Sequence, residues 1–162
     1  MISFVTEQFC QMIVAAGLAG KCALAHEAAI DSWQLDNNEV PYCLDFACKS
    51  LYSGCCVAEL GDETPRLVEF EQAGKAWVGS FKGVPVRAWH KFSGVPWRKL
   101  KRIGNESVGV ECVDPFIVLE EMEKCPEMRF LYEQRAALAA CLFVDDMPAD
   151  QLKRFIDYVR PC

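Results

Sequence analysis

The pattern of hydrophobic and polar positions changes its period along the chain. Apolar residues at helical spacing predict a first helix from Ser3 to about Ala19, with Ser3 as its N-cap. A nearly all-apolar run from Lys21 to about Gln34 predicts a buried second helix. Pro41 is suited to the first turn of a third helix. The apolar stripe of that third helix would comprise Leu44, Cys48, Leu51 and Cys55.

After Pro65 the period falls from about four residues to two, which is typical of β-strands. Glycine-containing turns separate the runs, as at Lys82-Gly83 and Ser93-Gly94. The pattern therefore predicts an antiparallel meander of four or five strands. The strand-like runs cover residues 67–71, 76–82, 84–92, 97–103 and 107–112.

Helical periodicity returns at Asp114, which can cap a helix that begins at Pro115. Further helices are predicted over residues 116–124, 127–143 and 146–158. The expected fold class is therefore α+β: N-terminal helices, a central antiparallel sheet of four to five strands, and C-terminal helices. A chain of 162 residues suits a single domain, 1–162. Within it we expect a helical part (1–62), a strand-rich basic segment (65–112) and a second helical part (114–160).

The composition is that of a folding, water-soluble protein. Apolar residues make up 52% of the chain and charged residues 25%, and no run approaches the roughly 18 apolar residues of a membrane span. Glu7 stands where a secretory signal would carry Lys or Arg. We therefore expect a cytoplasmic protein that does not insert into a membrane.

The ten cysteines are expected to be reduced, because no export signal accompanies them and most fall in apolar, helix-like stretches. Five of them are interpreted as small core hydrophobes: Cys10, Cys22, Cys48, Cys55 and Cys141. Cys22 and His26 are four residues apart, as metal ligands on one helical face would be, but no second pair completes a zinc site. No metal is therefore expected. No cofactor is expected either, because phosphate-binding and dinucleotide-binding glycine motifs are absent.

Charge is unevenly distributed in this acidic protein of net charge −6. Residues 72–105 contain eight Lys or Arg and no Asp or Glu, and aromatic residues are interspersed among them. A positive potential of this kind can recruit an anionic partner. The residues predicted to bind that partner are Lys82, Arg87, Lys91, Arg98, Lys99, Lys101, Arg102 and Trp97.

The basic segment leads to our first functional hypothesis, a small non-catalytic binding or accessory protein such as an adaptor, inhibitor or immunity-like protein. An acidic protein surface is favoured over nucleic acid as the partner, because the rest of the chain is acidic and would repel a polyanion. Two alternatives stay open. The cations could pack beside the acidic helices of their own chain, and the aromatic residues could form a stacking platform for single-stranded nucleic acid or simply a core-facing row of the sheet.

A second functional hypothesis is an enzyme with a cysteine nucleophile. The only histidines are His26, in the most apolar predicted helix, and His90, in a strand-like run. Cys43 follows Pro41 at the predicted start of the third helix, where the helix dipole would favour a thiolate. His90 could then act as the base and Asp114 as the group that orients it.

The order Cys43, His90 and Asp114-Pro115, with the string Cys43-Leu44-Asp45-Phe46-Ala47, resembles the transglutaminase-like branch of the papain-like superfamily over residues 43–115. The resemblance implies acyl transfer, deamidation or proteolysis with Cys43 as the nucleophile. A family-like string also occurs at Lys75-Ala76-Trp77-Val78. If that string is the true counterpart, Lys75 replaces the base and the chain is an inactive relative.

Overall fold

A computed structural model describes residues 2–32, 40–71, 73–106, 108–114 and 117–118. These residues form three helices, seven strands and one turn of 3-10 helix. In chain order they are α1 (Phe4–Ala15), β1 (Cys22–Ala25), α2 (His26–Ser32), β2 (Leu44–Cys48), α3 (Leu51–Glu59), β3 (Arg66–Phe70), β4 (Gly74–Phe81), β5 (Val84–Trp89), the 3-10 turn (Trp97–Lys99), β6 (Arg102–Ile103) and β7 (Glu111–Val113).

The described strands form one seven-stranded sheet in the order β3-β4-β5-β2-β1-β7-β6. The α+β class is confirmed. The sheet is mixed, however, because β2 pairs with β5 and β1 pairs with β7 in parallel, while the other neighbours are antiparallel. The predicted antiparallel meander of four to five strands is therefore wrong beyond its β3-β4-β5 part.

The two central strands β1 and β2 lie where the sequence predicted helices. Every residue of both strands is buried, so neither strand alternates between apolar and polar residues. Apart from Asp45, both strands are apolar, and a short apolar run cannot be distinguished from a buried helix by its period. The N-terminal part, 1–62, is consequently not all helical, and the predicted third helix is reduced to α3, which Ser50 caps through the backbone N–H of Ser53.

The first predicted helix is confirmed as α1, with Ser3 as its N-cap. The Ser3 hydroxyl accepts a hydrogen bond from the Thr6 backbone and donates one of 2.7 Å to the Asp31 carboxylate, which ties α1 to α2. At the other end of the described chain, the Val118 N–H donates to the Asp114 carbonyl, as in a first helical turn. The helices predicted over 127–143 and 146–158, and nearly all of 116–124, lie outside the described residues.

The three helices pack on one face of the sheet. The Phe9 ring of α1 contacts Phe46 of β2 at 5.5 Å, and Gly54 of α3 lies against Ala88 of β5. Ser32 of α2 lies 3.3 Å from the sulfur of Cys112 on β7. Because register partners point to the same side of a sheet, the opposite face carries Asp45, Arg87 and Trp89. We call these two sides the helix face and the opposite face.

Among the residues the structure describes, no helix is long and apolar enough to cross a membrane.

Candidate functional site

The opposite face of the sheet is organised around one buried carboxylate. Asp45 on β2 is directly opposite Arg87 on the parallel strand β5, and only 1% of its side chain is exposed. Arg87 donates two hydrogen bonds to it, from Nε to Oδ1 at 2.8 Å and from Nη2 to Oδ2 at 2.9 Å. The Trp89 indole Nε1 adds a third, to Oδ1 at 2.9 Å. Two neighbouring residues of β5 thus hold Asp45 in a fixed orientation.

His26 contacts the same carboxylate from the end of β1. Its Nδ1 lies 3.6 Å from Asp45 Oδ2, and its ring packs edge-on against Phe92 with centroids 5.0 Å apart. The backbone of His26 has φ of +50°, in the left-handed region that residues other than glycine seldom adopt. This conformation turns the chain sharply from β1 into α2.

The ionisation of Asp45 is set by its neighbours. Burial alone would raise the pKa of the carboxyl, but the charges of His26 and Arg87 and the hydrogen bonds from Arg87 and Trp89 outweigh it. The pKa of Asp45 is therefore held below its ordinary value. The charge of Asp45 in turn outweighs the burial of Arg87 and raises the pKa of the guanidinium. The pair is ionised at neutral pH.

Cys43 lies two residues before Asp45, and its Sγ is 3.8 Å from Asp45 Oδ1. Burial, followed by the negative charge of Asp45, raises the pKa of the Cys43 thiol despite the opposing influence of Arg87. Nearby, burial also raises the pKa of Glu27, whose carboxylate accepts a hydrogen bond of 2.9 Å from the Tyr42 N–H. Cys43 therefore precedes a strand rather than opening a helix, and its thiol is protonated.

The structure does not bring Cys43, His90 and Asp114 together. Cys43 precedes β2 and His90 follows β5, so the parallel register separates their backbones by roughly 16 Å along the strands. Asp114 follows β7, which β1 separates from β2. Arg87, predicted to bind a partner, is the one predicted residue that enters the Asp45 cluster beside Cys43.

The other residues predicted to bind a partner lie mainly on the surface. Arg102 and Trp97 are half-buried and contact each other, with the guanidinium carbon 3.7 Å from the ring centre. Binding of an acidic protein surface by this segment stays a prediction. The exposed members are Lys82, Lys91, Arg98, Lys99 and Lys101.

Sequence reasoning missed Asp45 and His26 as members of one site. Asp45 was named only within the transglutaminase-like motif, and His26 was considered as the partner of Cys22 in an incomplete metal pair. A signal was present, since a single acid inside the apolar string Leu44-Asp45-Phe46-Ala47-Cys48 indicates a buried charge that needs a partner. The identity of that partner was not readable, because Arg87 is 42 residues away.

The mixed sheet with helices on one face has a nucleotidyltransferase-like fold. The chain is similar to ANT(2″)-Ia in its crystal structure in complex with adenylyl-2″-tobramycin, with a TM-score of 0.57 and 10% identity over 94% of this chain and 95% of that one. It is also similar to the solution structure of the antibiotic-resistance factor ANT(2″)-Ia, with a TM-score of 0.51 and 10% identity over 94% of this chain and 81% of that one. No family model and no curated protein matches the sequence. Identity this low shows the fold alone.

The comparison corrects the earlier interpretations. The transglutaminase-like resemblance is wrong, because the fold is nucleotidyltransferase-like. The two predicted functions, a non-catalytic accessory protein and a Cys43–His90–Asp114 acyl-transfer enzyme, are also wrong. Cys43, His90 and Asp114 follow one another in the sequence, but they flank β2, β5 and β7, respectively, in a different architecture.

Proposed function

We propose that the protein binds a nucleotide on the opposite face of its sheet, at the cluster formed by Asp45, Arg87, His26 and Trp89. The nucleotidyltransferase-like fold supports this proposal, since nucleotidyl transfer requires a nucleotide substrate. One of the similar structures was solved with an adenylylated product, adenylyl-2″-tobramycin. The shared fold makes a nucleotide the ligand to test first.

The main support for the proposal is that Arg87 is fixed by its ion pair with Asp45 and yet remains partly exposed to solvent. Asp45 is completely buried, whereas 28% of the Arg87 side chain remains exposed. A guanidinium has five N–H donors in one plane, and the two hydrogen bonds to Asp45 use only two of them. Arg87 can therefore offer its remaining donors to a phosphate in a fixed orientation.

The aromatic side chains around Arg87 favour the same ligand. The Arg87 guanidinium carbon lies 5.5 Å from the Trp89 ring centre, and the ring centres of Trp89 and Phe70, on β3, are 5.1 Å apart. Phe92 lies against His26. Trp89 and Phe92 are buried, so Phe70, which is half-buried, is the ring among them that can stack on a nucleobase next to its phosphates.

The proposal is tested by equilibrium dialysis of the full chain against ATP, GTP, CTP and UTP. We expect saturable binding of at least one of them, weakened about tenfold or more by Arg87→Lys, because lysine keeps the charge but loses the planar fork. Arg66→Lys is the matched control, since Arg66 is exposed on β3. Circular dichroism verifies that each variant is folded.

Two results would overturn the proposal. The first is the absence of saturable binding of all four nucleotides to the wild-type protein at millimolar concentration. The second is binding that Arg87→Lys and Arg66→Lys leave equally unchanged, which would place the nucleotide away from the Asp45 cluster.

A further inference from the structure

Phosphates of nucleotides are commonly bound together with Mg²⁺, which carboxylate oxygens hold at 2.0–2.1 Å in an octahedral arrangement. Polymerases use two such ions to stabilise the attacking and leaving oxygens. A nucleotidyltransferase-like fold therefore implies a divalent cation, and the residues of the opposite face can be tested for their fit to one.

The oxygens of Asp45 are already occupied. Oδ1 accepts hydrogen bonds from Arg87 Nε and Trp89 Nε1, while Oδ2 accepts one from Arg87 Nη2 and faces His26 Nδ1 at 3.6 Å. Each carboxylate oxygen has about two lone-pair directions, so Oδ1 has none left. A metal ion would have to displace the Arg87 guanidinium at Oδ1, or enter between Oδ2 and His26, at a carboxylate of which only 1% is exposed.

The other groups near Asp45 do not complete a metal site either. The Cys43 Sγ lies 3.8 Å from Asp45 Oδ1, and Mg²⁺ prefers oxygen ligands to sulfur. Glu111, on the same face of β7, lies instead beside Arg102, with Nε and Oε1 3.7 Å apart. No group of three or more His, Cys, Asp or Glu side chains in the described ranges is arranged to hold a metal ion. The residues do not fit a divalent cation.

We infer that this site binds the phosphates of its nucleotide without a divalent cation, and that the Arg87 guanidinium, locked onto Asp45, supplies the positive charge in its place. The inference rests on the proposed function for its ligand. The claim that no divalent cation binds depends only on the Asp45 cluster and not on the nucleotide. The Arg87 guanidinium occupies the carboxylate oxygens that would bind a metal ion, and its positive charge repels a second cation.

The first arm of the test uses Mn²⁺ alone, followed by the electron paramagnetic resonance signal of the free ion. Wild-type protein and Asp45→Asn are titrated to millimolar Mn²⁺ in the absence of nucleotide. We expect the two proteins to remove the same small amount of free Mn²⁺ from solution. Mn²⁺ binding by the wild-type protein that Asp45→Asn abolishes would overturn the inference.

The second arm compares the dissociation constant of the bound nucleotide in excess EDTA and in excess Mg²⁺. We expect the two values to agree within about twofold, whereas a metal-dependent site would lose about tenfold or more in EDTA. Such a loss would overturn the inference while leaving the proposed function intact. If no nucleotide binds under either condition, the proposed function fails, and the Mn²⁺ arm still decides whether Asp45 holds a metal.

Discussion

Asp45 and Arg87 face each other across the parallel pair β2 and β5 and form an ion pair with two hydrogen bonds, of 2.8 and 2.9 Å. The two partners differ in exposure, with 1% of the Asp45 side chain and 28% of the Arg87 side chain accessible to solvent. Because the penalty for an unpaired charge grows with burial, the pair is asymmetric. Removing Arg87 leaves the buried Asp45 carboxylate unpaired, which lowers the stability of the fold more than removing Asp45 and leaving the partly exposed Arg87 unpaired.

The first prediction compares the free energies of unfolding of Arg87→Met and Asp45→Asn. Removing one partner of a buried pair costs about 3–5 kcal/mol, and we expect Arg87→Met to fall in that range. Asp45→Asn should cost less, because water can reach the Arg87 guanidinium and screen it. Urea unfolding of both variants and of the double variant measures the difference. Equal costs would show that the exposure of the partners does not matter.

The second prediction concerns acid stability. The folded pKa of Asp45 is lowered from its ordinary value of 3.8, so its ionised form stabilises the fold at pH values above about 4. That stabilisation is lost as the pH falls through the folded pKa. Wild-type protein should therefore lose stability more steeply below pH 4 than Asp45→Asn, measured by thermal unfolding between pH 6 and pH 2.5.

A matched control for this pH profile is Glu63→Gln, which changes an exposed carboxyl. Its profile should follow that of the wild-type protein. If Asp45→Asn and Glu63→Gln have the same slope, Asp45 is not the group whose protonation destabilises the fold.

The third prediction is that Cys43 reacts slowly with iodoacetamide. Burial raises the pKa of its thiol, and only the thiolate attacks the reagent. Cys56, half-buried on α3, should be alkylated faster, by about tenfold or more, at pH 7.5. Mass spectrometry of peptides after timed labelling measures both rates. Preferential labelling of Cys43 at neutral pH would instead indicate an activated nucleophile.

The fourth prediction uses the left-handed backbone of His26. Glycine adopts φ of +50° without strain, whereas alanine does not, so His26→Gly should be more stable than His26→Ala by about 1 kcal/mol. The control uses the neighbouring helical residue Glu27, where Glu27→Gly should be less stable than Glu27→Ala. Chemical denaturation of the four variants gives both differences. If the alanine variant is the more stable at His26 as well as at Glu27, the backbone at His26 is not strained.

The accuracy of sequence reasoning followed the amount of one-sided burial in each element. The helix α1 and the strands β3 to β5 each combine exposed residues with more buried ones, so polar positions marked their periods. The strands β1 and β2 are buried along their whole length, which removed the alternation that identifies a strand. The parallel pairings of these two strands were not predictable from local spacing.

The candidate site was harder to predict than the fold. Cysteine and histidine attracted attention because they carry reactive groups, but the residues that meet in space are Asp45, Arg87, Trp89 and His26. Their proximity depends on which strands are neighbours, since Arg87 and Trp89 reach Asp45 only through the parallel β2–β5 pairing. Arg87 was singled out for its charge, and its role in an ion pair needed the sheet order.

The pairing of β1 with β7 has a consequence for how the chain folds as it is synthesised. Leu24 finds its register partner Cys112 only after the ribosome has made the residues between them, which takes about 4–18 s at 5–20 residues per second. Until then one edge of a wholly apolar strand has no neighbour on that side, and such an edge pairs readily with other chains. We therefore expect nascent chains that stop before β7 to aggregate, and chaperones that shield apolar strands to determine the yield of the folded protein.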